Sequence, residues 1–177
     1  MPSDSVVSRR SFLKFGAVAA IAGPRLLTAA THERSLSFYN LHTSERLNVI
    51  YWSTGGYIPE SLTEINRVLR DHRTGSIHEI DLRLLDLLSL IRGQLETTEP
   101  FEVISGYRSP ATNALLRSHS NGVAEQSLHL KGMAADVRLP GRSLALLRKV
   151  AVSMRSGGVG YYPSQFVHID VGRFRTW

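Results

Sequence analysis

Apolar and polar positions alternate along two early stretches, RSLSFYN at residues 34–40 and RLNVIYW at residues 46–52, and both are rich in aromatic and β-branched residues. Alternation with that composition marks strands, and the intervening LHTSE reads as a turn, so the pair is a predicted hairpin. GGYIPES then breaks the pattern, and Pro59 opens a helical stretch with Leu62, Ile65, Val68 and Leu69 on one face. EIDLRLLDLLSLIRGQLE is the strongest helix, with a wide apolar face of Leu84, Leu85, Leu87, Leu88, Ile91 and Leu95. Asp81, Arg83, Asp86 and Arg92 interrupt it, which marks a central core helix and not a membrane element.

The second half continues in shorter pieces. FEVISG reads as a strand, and SPATNALLRS as a helix with proline in its first turn. AADVRL is a strand, and SLALLRKVAVSMR is an amphipathic helix expected to end at Gly157 and Gly158. GVGYY and QFVHIDVG close the chain as strands. Helices come early and strands cluster late, so the expected class is α+β, with a small, mostly antiparallel sheet packed on helices.

The first thirty residues do not fit this pattern. SRRSFLK at residues 8–14 is followed by a short apolar run over residues 15–23 and then by the small residues of LTAA. The run falls short of the roughly 20 apolar residues that span a bilayer. The stretch resembles a twin-arginine export signal, S-R-R-x-F-L-K, cleaved after Ala30. The expected organisation is therefore a signal over residues 1–30 and one domain over residues 31–177, with no stable transmembrane span after cleavage. The signal carries four basic residues and one acid; without it, 17 basic and 14 acidic residues leave a net charge of +3. That excess is too small, and too scattered, to argue for nucleic acid. It suits attraction to an anionic wall polymer. The chain has no cysteine, so any transition-metal site must use His, Asp or Glu.

One such set can be read from strand alternation. In QFVHIDVG, Phe166, His168 and Asp170 share a face, opposite Val167, Ile169 and Val171. In MAADVRL, Asp136 stands between Ala134 and Arg138 on one face. If the two strands pair with these faces aligned, Asp136 meets His168. His129, in the preceding loop, can fold back over Gly132. Two imidazoles and a carboxylate make a three-ligand site with an open fourth position for water. A solvated turn followed by an ordinary strand accounts for the same residues as well, so the spacing alone does not decide.

The motifs resemble a known family. S-x-H-x-x-G-x-A-x-D, present as Ser127, His129, Gly132, Ala134 and Asp136, is similar to the first metal motif of the D-alanyl-D-alanine peptidase and hedgehog-type zinc fold. FVHID resembles the strand that bears the third ligand, and SGYRSPATN the segment that bears a substrate-facing arginine. NLHTSE, LRDHRTG, GGVGYYP and GRFRTW extend the likeness, over residues 35–177, to exported murein endopeptidases of the K type. The resemblance implies that His129, Asp136 and His168 ligate Zn2+, and that Arg108 holds a substrate carbonyl or carboxylate. It implies hydrolysis of peptide cross-links in peptidoglycan by zinc-activated water, in the periplasm, after export by the twin-arginine machinery. One departure stands out. Gln165 lies three positions before His168, where many relatives have a residue that takes a proton. Asp170 is the nearest carboxylate on that face, and either orients His168 or acts as base. A non-catalytic peptidoglycan-binding metal module and a carboxypeptidase trimming stem peptides remain as alternatives.

Other polar residues have structural readings. His42, His72, His78 and His119 are expected to be structural, and Asp71 and Arg73 to form a turn network. Ser127 reads as a hydrogen-bonding support for the metal loop, while Tyr107, Tyr161 and Tyr162 suit either the groove or strand-end packing.

Overall fold

A computed structural model describes residues 33–120 and 122–177; the expected export signal lies outside the described residues. In chain order the elements are strands β1 (Arg34–Asn40), β2 (Arg46–Ser53) and β3 (Gly56–Tyr57), helices α1 (Pro59–Val68) and α2 (Leu82–Gln94), strand β4 (Phe101–Ser105) and helix α3 (Pro110–His119). A 3-10 turn (Leu128–Lys131), β5 (Ala134–Arg138), α4 (Leu144–Met154), β6 (Gly158–Tyr162), β7 (Phe166–Asp170) and β8 (Arg175–Thr176) complete it.

The strands form one eight-stranded sheet among the described residues, in the order β3-β2-β1-β4-β5-β7-β6-β8. The α+β class agrees with the sequence reading, and the sheet is larger than the small one expected. The late strands do not stand alone: β4 pairs in parallel with β1, which joins the N-terminal hairpin to them. β6 and β8 form a second parallel pair, and the remaining neighbours are antiparallel.

One sheet face is apolar and covered by helices. Leu36, Phe38, Val103, Ala135, Val137, Val167 and Ile169 are buried with Leu84, Leu85, Leu88 and Ile91 of α2 and Leu147 of α4. Truncating any one of these leucines to alanine would cost about 2–5 kcal/mol, a large part of a small domain's stability. Caps set the helix ends. Asp81 Oδ1 accepts from the Arg83 N–H, Ser109 Oγ from the Thr112 N–H and Ser143 Oγ from the Leu146 N–H. Each such cap is worth about 1 kcal/mol. α4 ends earlier than the glycines suggested: Arg155 adopts the left-handed conformation at φ 51° and terminates it. Gly158 instead opens β6, and Gly157 packs against the Asp170 main chain, where a Cβ would not fit.

The same alternation that buries Ala135, Val137, Val167 and Ile169 turns Asp136 and His168 to the other face of the sheet. They stand directly opposite each other on β5 and β7, near the middle of the sheet. A register shift in β4 between Val103 and Ser105 lies beside them, because Ser105 pairs with Asp136. No helix of the described residues is long and apolar enough to cross a membrane.

Candidate metal centre

His129, Asp136 and His168 converge, with donor atoms all within 4.8 Å of one another: β5 and β7 pair with the polar faces of Asp136 and His168 aligned, and the turn before β5 brings in His129. His129 Nε2 is 3.3 Å from Asp136 Oδ1 and 3.2 Å from His168 Nδ1. His168 Nδ1 is 2.8 Å from Asp136 Oδ1. Ligand atoms around a tetrahedral zinc with bonds of about 2.0 Å stand roughly 3.3 Å apart, so two of the three separations match that spacing. The third is the length of a hydrogen bond, which two groups make when a proton lies between them.

Each imidazole is aimed by a fixed partner on its other nitrogen. His129 sits in the 3-10 turn, where Ser127 Oγ accepts from its backbone N–H at 3.4 Å. Its Nδ1 lies 2.7 Å from the Gly106 carbonyl, which can only accept, so Nδ1 carries the proton and Nε2 turns its lone pair into the site. Gly132 ends that turn at φ 64°, and a Cβ there would collide with the Glu79 carbonyl. Glycine is therefore required by both conformation and space. The Arg108 N–H donates to the His129 carbonyl at 3.1 Å, which ties the arginine segment to the same turn.

His168 is aimed by Asp170, whose Oδ2 is 3.0 Å from His168 Nε2. Asp170 is fully buried and its acceptor capacity is filled. Oδ1 accepts from the N–H groups of Gly158 and Gly172 at 2.9 and 2.8 Å, and Arg175 donates to both oxygens. Burial alone would raise the Asp170 pKa, but these donors outweigh it and hold the carboxyl well below the ordinary carboxylate range. Burial likewise pushes His168 down, and its two carboxylate partners outweigh that and raise it to about 8. Asp136 is held low by both imidazoles against its own burial. Once the His168 Nδ1 proton is released, two nitrogen lone pairs and one ionised oxygen around a common centre would make a donor set that zinc suits.

Arg108 lies beside the triad, its Nη2 3.7 Å from Asp136 Oδ2 and its side chain 11% exposed. Burial lowers its pKa and the Asp136 charge opposes that. Asn113 Oδ1 accepts from Nη1 at 3.4 Å, and Nε has no protein partner. A buried guanidinium with spare donors is ready to take an oxygen ligand. Arg108, the triad, Tyr162, Phe166, Arg175 and Trp177 line a cleft of roughly 440 Å³, closed on the other side by residues 122–128.

The remaining candidates separate. Gln165 is exposed and its carbonyl is bonded by Arg138 Nε. His42 and His72 stack on each other at 3.7 Å, His78 stacks on Tyr107 at 4.7 Å, and His119 Nδ1 bonds to the Leu115 carbonyl, so all four lie outside the cluster. Of the three tyrosines, Tyr162 lines the cleft. Asp71 does more than hold its turn: it accepts from the Arg73 N–H and also from the Ser109 N–H, fixing the start of α3 next to Arg108. The sequence reading did not single out Asn113 or Trp177. Asn113 Nδ2 donates to the carbonyls of Ala124 and Glu125, so it links Arg108 to the cleft rim. Its only sequence signal was its place in SGYRSPATN.

Comparison with known proteins follows the same motifs. The family described as peptidoglycan L,D-endopeptidase MepK matches residues 28–177. A protein of Escherichia coli (strain K12) named peptidoglycan L,D-endopeptidase MepK is 46% identical over 176 residues, covering 96% of this chain and 97% of its own. A Shigella flexneri protein of the same name is also 46% identical over 176 residues. A probable peptidoglycan L,D-endopeptidase MepK of Haemophilus influenzae (strain ATCC 51907 / DSM 11121 / KW20 / Rd) is 42% identical over 146 residues, covering 81% of this chain and 78% of its own.

Proposed function

The chain belongs to the peptidoglycan L,D-endopeptidase MepK family, and from that premise we propose that it is a zinc-dependent hydrolase of peptide cross-links in peptidoglycan, cutting a bond between an L- and a D-configured residue. The observation that carries this reading is the convergence of His129 Nε2, Asp136 Oδ1 and His168 Nδ1 at the floor of a cleft that Arg108 enters. Bound there, zinc would supply the positive charge that activates water at neutral pH and polarises an amide carbonyl.

The chain's own residues divide the remaining work. Arg108 binds the carbonyl or carboxylate oxygen of the peptide through its spare N–H groups and stabilises the charge that develops on it. Asp170 is the positioning residue for His168: it holds the Nε2 proton and leaves Nδ1 free to ligate. A base must reach the proton it takes, and the filled, fully buried carboxylate of Asp170 lies behind the ring from the cleft. Beside the ligand Asp136, the charged side chains on the cleft wall are Arg108 and Arg175, which suits a peptide that carries carboxylates.

Digestion of purified muropeptides by the zinc-loaded domain, followed by mass spectrometry, is the decisive experiment. Loss of cross-linked dimers is the expected result. Loss of a terminal residue alone would make the protein a carboxypeptidase, and an unchanged digest would leave a binding module.

A substrate in the wall requires export, and we read residues 1–30 as the signal for it, from the match of residues 8–14 to the twin-arginine pattern. Replacing Arg9 and Arg10 together by lysine is expected to retain the precursor in the cytoplasm. Fractionation that still found the double variant in the periplasm through the twin-arginine route would overturn that reading.

A further inference from the structure

Tyr162 stands on β6, beside the strand that carries His168: Gly160 pairs with His168, and Tyr162 pairs with Phe166. Strand alternation puts its side chain on the face of the metal centre, and its ring packs on Phe166 in the cleft wall, ring centres 4.5 Å apart. Trp177 draws the hydroxyl back along the strand. The indole lies over Gly160 so closely that a Cβ there would stand 2.8 Å from Nε1, and its ring centre is 5.3 Å from that of His168. Nε1–H donates to Tyr162 Oη at 3.1 Å, so the phenol oxygen is held beside the strand position that faces His168. An indole nitrogen only donates, so this bond uses the phenol oxygen as acceptor and leaves its O–H as a donor. Among the described residues that O–H has no protein acceptor, and the tyrosine is half-buried at the cleft. The bond is not needed to hold Trp177, whose backbone N–H and carbonyl are already paired with Val159 and Tyr161 at 3.2 and 2.9 Å. Arg108 lines the same cleft, and Tyr162 is near enough to act on its charge.

We infer that Tyr162 is a catalytic residue whose O–H donates a hydrogen bond to the scissile carbonyl oxygen as charge gathers on it. This rests on the hydrolytic reading above and adds a second donor to Arg108. When the water oxygen bonds to the carbonyl carbon, the π pair moves onto the carbonyl oxygen. The pair returns as the C–N bond breaks, and the amine leaves with a proton from the water. Tyr162 keeps its own proton throughout, and its hydrogen bond strengthens and then relaxes. Such a donor counts most where it is fixed in advance and little water competes. The indole does the fixing: with Nε1–H on one side of the oxygen, the O–H cannot point at Trp177 and turns toward the cleft. A hydroxyl that only gripped the peptide would act equally on the amide and on the oxyanion, and would leave kcat alone.

The test compares the zinc-loaded wild-type protein with Tyr162→Phe and Trp177→Phe on a cross-linked muropeptide dimer. Removing one donor to a developing oxyanion typically costs about 10²–10³-fold in kcat. Tyr162→Phe is expected to lose kcat at the lower end of that range, with KM and zinc content little changed. Trp177→Phe keeps the hydroxyl but not the bond that aims it, and is expected to lose less. Binding supplies a second readout, from two uncleavable isosteres of the dimer. One is a phosphinate, with an anionic oxygen where the oxyanion forms; the other is a reduced amide, with no oxygen there. Tyr162→Phe is expected to weaken the phosphinate by about the factor lost in kcat and to leave the reduced amide unchanged. Wild-type kcat in Tyr162→Phe would overturn the inference alone, as would a loss that falls on KM and on both isosteres alike, or a loss of zinc. A wild-type protein that cut no cross-linked dimer would overturn the hydrolytic reading, and this inference with it.

Discussion

Asp136→Asn and His129→Ala are each expected to abolish hydrolysis of cross-linked muropeptides and to strip the protein of zinc during dialysis. Both residues are buried, and each contributes one of three converging donor atoms. Loss of an outer hydrogen bond to a ligand typically costs about 10–100-fold in metal affinity, so loss of a ligand itself must exceed that. The two substitutions test the site from different sides. Asparagine keeps the shape of Asp136 but removes the charge that holds His168 Nδ1 at 2.8 Å. Alanine at residue 129 removes the ring that now satisfies the buried Gly106 carbonyl. That unpaired acceptor adds a stability loss of about 1–3 kcal/mol, so thermal melts belong beside the metal assay. Either variant purified with a full equivalent of zinc would remove the triad as the metal site.

The Asp136–His168 pair was legible because strand alternation is a strict rule, whereas His129, in a turn, was singled out by its place in the S-x-H-x-x-G-x-A-x-D motif. Once QFVHIDVG and MAADVRL are read as paired strands, the faces of His168 and Asp136 follow from which residues are apolar, and the register places them opposite each other. The α2 core face was legible for the same reason at helical spacing: Leu84, Leu85, Leu87, Leu88 and Ile91 are all buried. What alternation cannot supply is pairing between distant strands. The parallel contact of β1 with β4 brings Phe38 opposite Phe101, and no local pattern predicts a neighbour so far along the chain. Backbone conformation was misleading at the end of α4, where Arg155 takes the left-handed cap and the following glycines serve other contacts. Trp177 escaped for a related reason. Its place at the cleft depends on β8 pairing with β6 and on the space left at Gly160, and neither is visible from RFRTW alone.

Asp170→Asn is expected to weaken zinc binding by about 10–100-fold while activity returns in excess zinc, the signature of a residue that orients a ligand. The carboxylate accepts from five donors: two backbone N–H groups, two from Arg175 and the His168 Nε2–H. An amide of the same shape must put an NH2 where one oxygen stood. With the amide oxygen kept on Gly158 and Gly172, the NH2 faces Arg175 and His168, and donors oppose donors. Relief at the ring then comes by moving its proton from Nε2 to Nδ1, the nitrogen that would ligate. With the amide reversed, the conflict shifts to the two backbone N–H groups, and buried donors are left unpaired. Either way the ligand tautomer or the strand end that carries it is disturbed, and the loss falls on metal affinity first. A general base would behave differently: zinc content would hold, and hydrolysis would fall by about 10²–10⁴-fold at every zinc concentration. Hydrolysis of a cross-linked muropeptide dimer, titrated with zinc and paired with metal analysis, separates the two. Near-wild-type zinc content and rate together would sink both roles and would leave Asp170 as the residue that holds the end of β7 to β6 through the Gly158 N–H.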